Sequence, residues 1–148
     1  MNKEKIKIKK LSHCYNLPTY KTDGASGMDL YAAISDNIDL LPFERKLIPT
    51  GIIIELNPNQ EAQIRARSGL SINHGITLIN GVGTIDSDYR GEILVPLVNL
   101  SDEKYTITRG ERIAQLVIVN FIKVDLDVTE EVNLTKRNSD GFGSTGKI

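Results

Sequence analysis

The chain has 148 residues, the length of one compact domain, and no Pro-, Gly- or Ser-rich linker or internal repeat divides it. Its formal net charge of −1 argues against a general nucleic-acid-binding protein, because such proteins need an excess of Lys and Arg. No apolar run approaches a membrane span and no signal peptide is visible, so the composition predicts a soluble cytoplasmic protein.

Short stretches rich in Ile and Val, bounded by Gly, Pro, Asn or Asp, predict many short strands. In the first, residues 5–10, lysines alternate with Ile6 and Ile8, which indicates a half-buried strand with a solvated lysine face. Further strands are predicted at residues 28–32, 37–41, 44–49, 51–56, 61–66, 76–79, 93–99, 105–108 and 113–121. Many strands at short spacing favour a sandwich, a barrel or a jelly roll.

Only residues 68–74 are predicted to be helical. Ser68 is the candidate N-cap, and Gly75 is the candidate residue at which the helix ends.

Two apolar stretches stand out: residues 47–56, apart from a Pro-Thr-Gly break, and residues 113–121, apart from Gln115 and Asn120. A strand that is apolar on both faces is covered on both faces. The second cover is either another subunit or the other half of a closed sandwich, and the residues alone favour neither.

Soft metal ligands are scarce in this chain. His13, Cys14 and His74 are its only Cys and His residues, and their spacing matches no zinc pattern. A bound metal should therefore be a hard cation held through oxygen. The single cysteine cannot form an internal disulfide, which fits a reducing compartment.

The C-terminal residues 137–146 contain one apolar side chain, Phe142, which is too little to offset the entropy of ordering. They form either a frayed terminus or an arm that becomes ordered on a ligand.

Five segments carry the chemically interesting residues. They are Ala-Ser-Gly-Met-Asp-Leu at 25–30, Arg-Ser-Gly-Leu at 67–70, Gly-Thr-Ile-Asp-Ser-Asp-Tyr-Arg-Gly-Glu at 83–92, Arg-Gly-Glu-Arg-Ile-Ala-Gln-Leu at 109–116 and the Gly-rich tail at 137–146. Each segment alone is a weak signal, but all five occur in the order and at the spacing of the five dUTPase motifs. The chain therefore resembles the homotrimeric dUTPase family over almost its whole length.

The resemblance implies an all-β jelly roll, or β-clip, with one short helix. It implies a β domain at residues 1–136 and a C-terminal arm at residues 137–148 that closes over the active site. It further implies a C3 homotrimer whose active sites are shared between subunits. The implied reaction converts dUTP and water to dUMP and pyrophosphate, which keeps uracil out of DNA and supplies dUMP for dTTP synthesis. Mg²⁺ would be held through the substrate phosphates and waters, with no direct protein ligand.

The second segment has the chemistry of an anion site. The first amides of a helix bind anions, and the Arg67 fork suits phosphate. The alternative is a helix capped by Ser68 beside a surface arginine. The resemblance implies that this segment, with Gly69, holds the triphosphate.

The third segment follows a predicted hairpin at residues 79–83, in which Asn80 carries both a donor and an acceptor. The resemblance implies that this hairpin pairs with uracil and that Leu94 lines the site. Asp86 would be the general base for the attacking water, and Tyr89 would pack on the sugar and refuse a 2′-hydroxyl. The alternatives are an ordinary turn aspartate and a packing tyrosine.

The fourth segment places Arg112 and Gln115 inside an apolar run, where buried polar groups need partners. The resemblance implies that Gln115 reaches the phosphates and that Arg112 pairs with Asp29 as a supporting contact. The alternative is a buried Arg–Asp pair without any part in catalysis.

The tail departs from the family pattern, because Asn138 and Asp140 replace two glycines. Both residue types tolerate positive φ better than most, but Asp140 brings a negative charge toward a polyanion. The resulting set of predicted substrate-binding residues is Arg67, Ser68, Gly69, Asn80, Thr84, Ile85, Asp86, Tyr89, Leu94, Gln115, Arg137, Phe142, Gly143, Ser144 and Thr145.

Two other functions remain possible on the sequence alone. One is a deoxycytidine triphosphate deaminase of the same fold, against which the Gly-Thr-Ile-Asp-Ser-Asp-Tyr stretch and the Phe-containing tail argue. The other is a non-catalytic regulatory relative, against which the presence of Asp86 and Tyr89 argues.

Overall fold

The computed structural model describes residues 4–139 and residue 141, and within them the chain forms eleven strands and one short helix. The elements are β1 (Lys7–Lys10), β2 (Met28–Tyr31), β3 (Ile38–Leu40), β4 (Arg45–Pro49), β5 (Ile52–Glu55), β6 (Gln60–Arg65), α1 (Ser68–His74), β7 (Ile76–Leu78), β8 (Val82–Ile85), β9 (Leu94–Asn99), β10 (Tyr105–Ile107) and β11 (Arg112–Asn120). This architecture confirms the predicted all-β class. In the described ranges, no helix has the length and apolar character of a membrane span.

The largest sheet has the order β2-β11-β6-β8, and all its pairings are antiparallel. Strand β11 lies in its middle, and Ile113, Ala114, Leu116 and Val117 are all buried within this one chain. The apolar character of residues 113–121 is therefore explained largely by a central strand, the second of the two alternatives.

A three-stranded sheet, β4-β9-β7, supplies much of the remaining core. Ile48 pairs with Val95, and both are buried, but Leu47 on the opposite face is 61% exposed. The outer face of β4 is therefore not covered within the single chain, because alternation along β4 turns every second side chain outward.

Helix α1 has the predicted bounds, but its N-cap differs from the prediction. The N-cap is Arg67, with extended backbone and no side-chain capping bond, so Ser68 is the first helical residue and is exposed. The predicted capping by Ser68 is therefore wrong. Gly75 ends the helix in the left-handed conformation, with φ of 67°, as predicted.

Strand β8 is not predicted from the sequence, in which residues 79–83 indicate only a hairpin turn. The turn is present, since Gly81 has φ of 72° and its N–H donates to the Leu78 carbonyl at 3.2 Å. Val82 then begins a strand that pairs with β6. Gly83 obscures that strand in the sequence, and it suits the close packing there, because a Cβ would lie 3.1 Å from the Ile64 Cβ and would require Ile64 to shift.

The N-terminal strand is present but less buried than its alternation predicts. Strand β1 pairs antiparallel with β5, and its four residues are all exposed, including Ile8. Ile6, just before the strand, is the isoleucine that packs against the core.

Asn99, at the end of β9, is a fully buried polar residue that satisfies its whole amide within the chain. Its Nδ2 donates to the carbonyls of Leu40 at 2.9 Å and Glu103 at 2.7 Å. Its Oδ1 accepts from the Ser101 N–H at 2.9 Å and from the Ser101 hydroxyl at 2.7 Å. These bonds tie the β9–β10 turn to strand β3.

We expect Asn99→Ala to lower the free energy of unfolding by about 2–4 kcal/mol, because it removes the side-chain donor to the buried Leu40 carbonyl and opens a small cavity. Urea denaturation at fixed protein concentration measures this change. Ser101→Ala is the matched control and should cost about 1 kcal/mol or less, since its hydroxyl lies near the surface, where water can replace its bonds to Asn99 and Glu103. Equal losses in the two variants would contradict a central role for Asn99.

Candidate active site

The carboxylate of Asp29, on β2, is 3% exposed and lies between two arginines. Arg112 Nη1 is 3.2 Å from Asp29 Oδ2, and Arg67 Nε is 3.5 Å from Asp29 Oδ1. Arg67 Nη1 also donates to the Arg112 carbonyl at 2.9 Å. The first, second and fourth segments therefore meet in one chain around a buried carboxylate, which requires such partners.

Gln115 lies beside this cluster on β11. In the sheet register it stands opposite Asp29 on one side and Arg65 on the other. Gly27 packs against it, since a Cβ at Gly27 would lie 3.4 Å from the Gln115 Oε1. The side chain is partly buried, so it is held in place beside the arginine cluster.

The first turn of α1 follows Arg67 directly and contains no acidic residue. Ser68 and Gly69 are both exposed, and a Cβ at Gly69 would meet nothing within 4 Å. Two donors of Arg67 are used on Asp29 and Arg112, so within this chain Arg67 is partly engaged in supporting contacts. The turn offers open backbone and a hydroxyl suited to an anion.

The hairpin of the third segment leads into β8. Asn80 is exposed, and its Nδ2 lies over Gly83, 3.4 Å from where a Cβ would stand. Thr84 is also exposed and Ile85 is partly buried. Leu94 is exposed at the start of β9.

Asp86 and Tyr89 are the two ends of one turn, which the Tyr89 N–H closes by donating to the Asp86 carbonyl at 3.1 Å. Arg90 Nη1 stabilises the same turn by donating to the Ser87 carbonyl at 2.7 Å. The Asp86 side chain is exposed, and Tyr89 is 43% exposed. One side of the tyrosine packs on Gly91, where a Cβ would overlap the phenol.

The two groups of residues lie at opposite ends of the β6–β8 pair. Ile85, which precedes Asp86, pairs with Ala62, whereas Arg65, which precedes Arg67, pairs with Val82. Three residues of strand, about 10 Å, separate these ends before either segment leaves the sheet.

Strand β10 supports the fourth segment through Tyr105, whose hydroxyl donates to the Glu111 carboxylate. Glu111 also accepts from the Thr108 N–H at 3.0 Å. Burial first, and then the bond to Glu111, raises the pKa of Tyr105, so the phenol stays a neutral donor.

In the tail, the structure describes Arg137 and Asn138. Asn138 has φ of 43°, in the left-handed region where Asn is tolerated. Its Oδ1 accepts from the Thr135 N–H at 2.9 Å, and its own N–H donates to the Thr135 hydroxyl at 3.0 Å. The predicted contacts of Phe142, Gly143, Ser144 and Thr145, and the effect of Asp140, concern positions outside the described residues.

Residues that the sequence analysis left without a role also meet near the third segment. Glu92 Oε1 accepts from the Gly51 N–H at 2.8 Å and lies 2.7 Å from His13 Nε2. Arg109 donates to the Ile34 carbonyl at 2.8 Å. Glu92 follows a glycine and Arg109 precedes one. This position beside a glycine is the sequence signal that the two charged side chains bond to the main chain rather than to solvent.

Known proteins resemble this chain over almost its whole length. The dUTPase family model matches residues 14–146. The deoxyuridine 5'-triphosphate nucleotidohydrolase of Finegoldia magna is 54% identical over 95% of this chain and 99% of its own. The enzyme of the same name from Wolbachia pipientis wMel is 51% identical over 99% of this chain and 98% of its own.

Solved structures of dUTPases share this fold. The dUTPase of Staphylococcus bacteriophage 80alpha with dUPNHPP has a TM-score of 0.88 and 25% identity, covering 97% of this chain and 99% of that one. A mutant dUTPase of phage phi11 of S. aureus, solved to show the coordination of a structural Mg(II) ion, has a TM-score of 0.78 and 21% identity, covering 86% of this chain and 98% of that one. With a family match over most of the chain and relatives more than half identical along almost their full length, this chain belongs to the dUTPase family.

Proposed function

We propose that this protein is a dUTP diphosphatase, which hydrolyses dUTP to dUMP and pyrophosphate. The observation that carries the proposal is the Asp86–Tyr89 turn: both side chains are exposed, and the turn is closed by a bond of 3.1 Å. In a member of the dUTPase family, this turn pairs a general base with a residue that checks the sugar. The activity limits uracil incorporation into DNA and supplies dUMP for dTTP synthesis.

Asp86 acts as the general base. Its carboxylate orients a water and takes its proton as the oxygen attacks the α-phosphorus, and pyrophosphate leaves with the electrons of the broken P–O bond. A base is needed because the water must lose a proton as it meets an anionic phosphate. The closed turn fixes the main chain of Asp86, from which the exposed carboxylate reaches the substrate.

The hairpin around Asn80 selects uracil. Backbone N–H and C=O groups together with the Asn80 amide match two carbonyls and one N–H, whereas cytosine would leave buried groups unpaired. Tyr89 selects deoxyribose, because one side of its ring rests on Gly91 and the sugar would stack on the other. Thr84, Ile85 and Leu94 complete the walls of this half of the site.

The first turn of α1 and Gln115 bind the triphosphate. Ser68 and Gly69 supply a hydroxyl and backbone donors, and Gln115, which stands opposite Asp29 in the sheet, supplies an amide. Asp29 and Arg112 act indirectly, because they fix the arginine that precedes the helix.

Mg²⁺ accompanies the substrate. We assign it to the triphosphate oxygens and waters, since Mg²⁺ gives up its waters reluctantly and commonly binds through substrate phosphates. When bound, it neutralises phosphate charge and fixes the chain for attack. Among the described residues, no three His, Cys, Asp or Glu side chains come together as a metal site.

The active form is a homotrimer with shared sites. The outer face of the β4-β9-β7 sheet exposes Leu47, Ile79 and Leu94, which suits burial against a second copy. Further along the chain, the exposed apolar residues Ile122, Val124, Leu126 and Val128 occupy every second position. A site shared between subunits also explains why Asp86 and Ser68 follow opposite ends of the β6–β8 pair, about 10 Å apart along the strands.

Residues 137–148 act as an arm that closes the site over the domain formed by residues 1–136. Arg137, Ser144 and Thr145 would bind phosphate, and Phe142 would cover uracil with Gly143 allowing close approach. Stacking on a base contributes about 1–3 kcal/mol. Closure excludes bulk water and fixes the phosphate chain. We place the protein in the cytoplasm, where its substrate is formed.

Asp86→Asn tests the proposed chemistry. We expect pyrophosphate release from dUTP to fall roughly 10²–10⁴-fold with dUTP affinity little changed, because the amide cannot accept a proton. Asp88→Asn, an exposed carboxylate in the same turn, is the matched control and should remain near the wild-type rate. Wild-type assays with dCTP, for ammonia release, and with UTP complete the test. A near-normal Asp86→Asn rate or deamination of dCTP would contradict the proposal.

Subunit mixing tests the shared site. Ser68→Glu places a carboxylate where we expect phosphate, and an acidic residue in the first turn of a helix is tolerated by the fold. Ser68→Glu and Asp86→Asn chains should each be inactive alone. When the two chains are refolded together in equal amounts, about a quarter of the sites combine an intact Ser68 with an intact Asp86. The mixture should therefore regain about a quarter of the wild-type activity.

A chain that carries both substitutions, mixed with Asp86→Asn chains, is the control and should regain no activity. If the first mixture also stays inactive, each site lies within one chain and the shared-site proposal is wrong.

Truncation after Lys136 tests the arm. The shortened chain should still assemble as a trimer. Light scattering should give three times the mass of the shortened chain, which is slightly below the full-length 16.4 kDa. Its turnover should fall roughly tenfold or more, because water exclusion and phosphate positioning are lost. Phe142→Ala should show a milder loss. Full turnover in an intact truncated trimer is incompatible with a closing arm.

A further inference from the structure

The chain segment that follows the Asp86–Tyr89 turn is anchored by Glu92. The Glu92 side chain is only 23% exposed, and its Oε1 accepts the Gly51 N–H at 2.8 Å. The same oxygen lies 2.7 Å from His13 Nε2, on the N-terminal segment. One carboxylate oxygen therefore joins three parts of the chain that are far apart in sequence.

Main-chain bonds fix the residue immediately after Glu92. The Ile93 N–H donates to the Ile52 carbonyl at 2.9 Å, and the Thr50 hydroxyl donates to the Ile93 carbonyl at 2.6 Å, fully within the core. Ile93 itself is completely buried. Glu92 is thus the boundary between the rigid core and the exposed turn that precedes it.

Tyr89 depends on this boundary for its position. Its hydroxyl donates to the Glu92 main-chain carbonyl at 3.0 Å. Its ring packs on Gly91 so closely that a Cβ there would overlap it. The location of the ring is therefore set by the backbone of Gly91 and Glu92, and that backbone is held by the Glu92 carboxylate.

We propose that Glu92, held by His13, is a positioning residue that sets the Tyr89 ring and so determines how well the enzyme rejects a ribonucleotide. The inference rests on the proposed function, in which Tyr89 packs on the sugar. A 2′-hydroxyl adds one oxygen atom, so a small displacement of the ring would make room for it. Both donors to Glu92 are needed, because each ties the same carboxylate oxygen to a different part of the chain.

His13 contributes as a donor in this arrangement. Its Nε2 must carry a hydrogen to bond the carboxylate, which both the Nε2–H neutral tautomer and the imidazolium provide. Arg109 Nη2 holds the His13 carbonyl at 3.5 Å, which limits how far the histidine moves. Arg109 thereby holds the main chain of His13, and Glu92 holds its side chain.

The test compares specificity, not only activity. The ratio of kcat/KM for dUTP to kcat/KM for UTP is measured for the wild type, Glu92→Ala, Glu92→Gln and His13→Ala. We expect Glu92→Ala to lower the ratio roughly tenfold, mainly by admitting UTP. Glu92→Gln keeps an amide oxygen that accepts from Gly51 and His13, so it should restore the ratio to within about twofold of the wild type.

A second comparison separates positioning from simple stabilisation. In a Tyr89→Ala background, Glu92→Ala should change the ratio no further, since it acts through the ring. A lowered melting temperature with an unchanged ratio, or additive effects in the double variant, would overturn the proposal. If Glu92→Ala does not fold, His13→Ala carries the test with an expected loss of roughly threefold, and an unchanged ratio again overturns it.

Failure of the proposed function has a different signature. In that case the wild-type protein would not release pyrophosphate from dUTP, and the positioning role would fall with it. A wild type that hydrolyses dUTP and rejects UTP, together with a Glu92→Ala variant of unchanged selectivity, would overturn the inference alone.

Discussion

The buried carboxylate of Asp29 is the contact on which the proposed phosphate half of the site depends. It accepts from Arg112 on the neighbouring strand β11, while Arg67, at the end of the next strand β6, completes the pair of cations. A buried charge is costly unless it is paired, so the arginines have few alternative positions. Because Arg67 is also the N-cap of α1, the same contact fixes where the helix begins and hence where Ser68 stands.

The base and sugar half depends on a different part of the fold. The turn from Asp86 to Tyr89 leaves β8 at the end opposite to the arginine cluster, and Glu92 ties it back to the core. In the proposed trimer these halves come from different subunits. Assembly then becomes a condition of catalysis, because an isolated chain carries a base without phosphates to act on and a phosphate site without a base.

Much of this arrangement was predictable from local patterns. Strand and helix positions follow from short Ile- and Val-rich stretches, and Gly75 ends the helix because a left-handed residue is needed there. The sequence could not predict that Ser68 is the first helical residue and not the N-cap. The actual N-cap, Arg67, has an extended backbone and contacts Asp29 and Arg112, which lie far away in sequence. Strand β8 escaped detection for a similar reason, since Gly83 lowers its strand propensity but suits the close packing on Ile64.

The contact between His13 and Glu92 marks the limit of such prediction, because neither residue belongs to a periodic pattern. Asn138 shows the reverse situation, in which a departure from the family pattern has a local explanation. A glycine would tolerate the observed φ of 43° equally well, but it would have no side chain to accept the Thr135 N–H. Asn138 keeps the left-handed backbone at modest cost and adds that bond. It also restricts the unfolded chain more than glycine would. The substitution therefore lowers the conformational entropy that residue 138 loses when it takes up this backbone conformation.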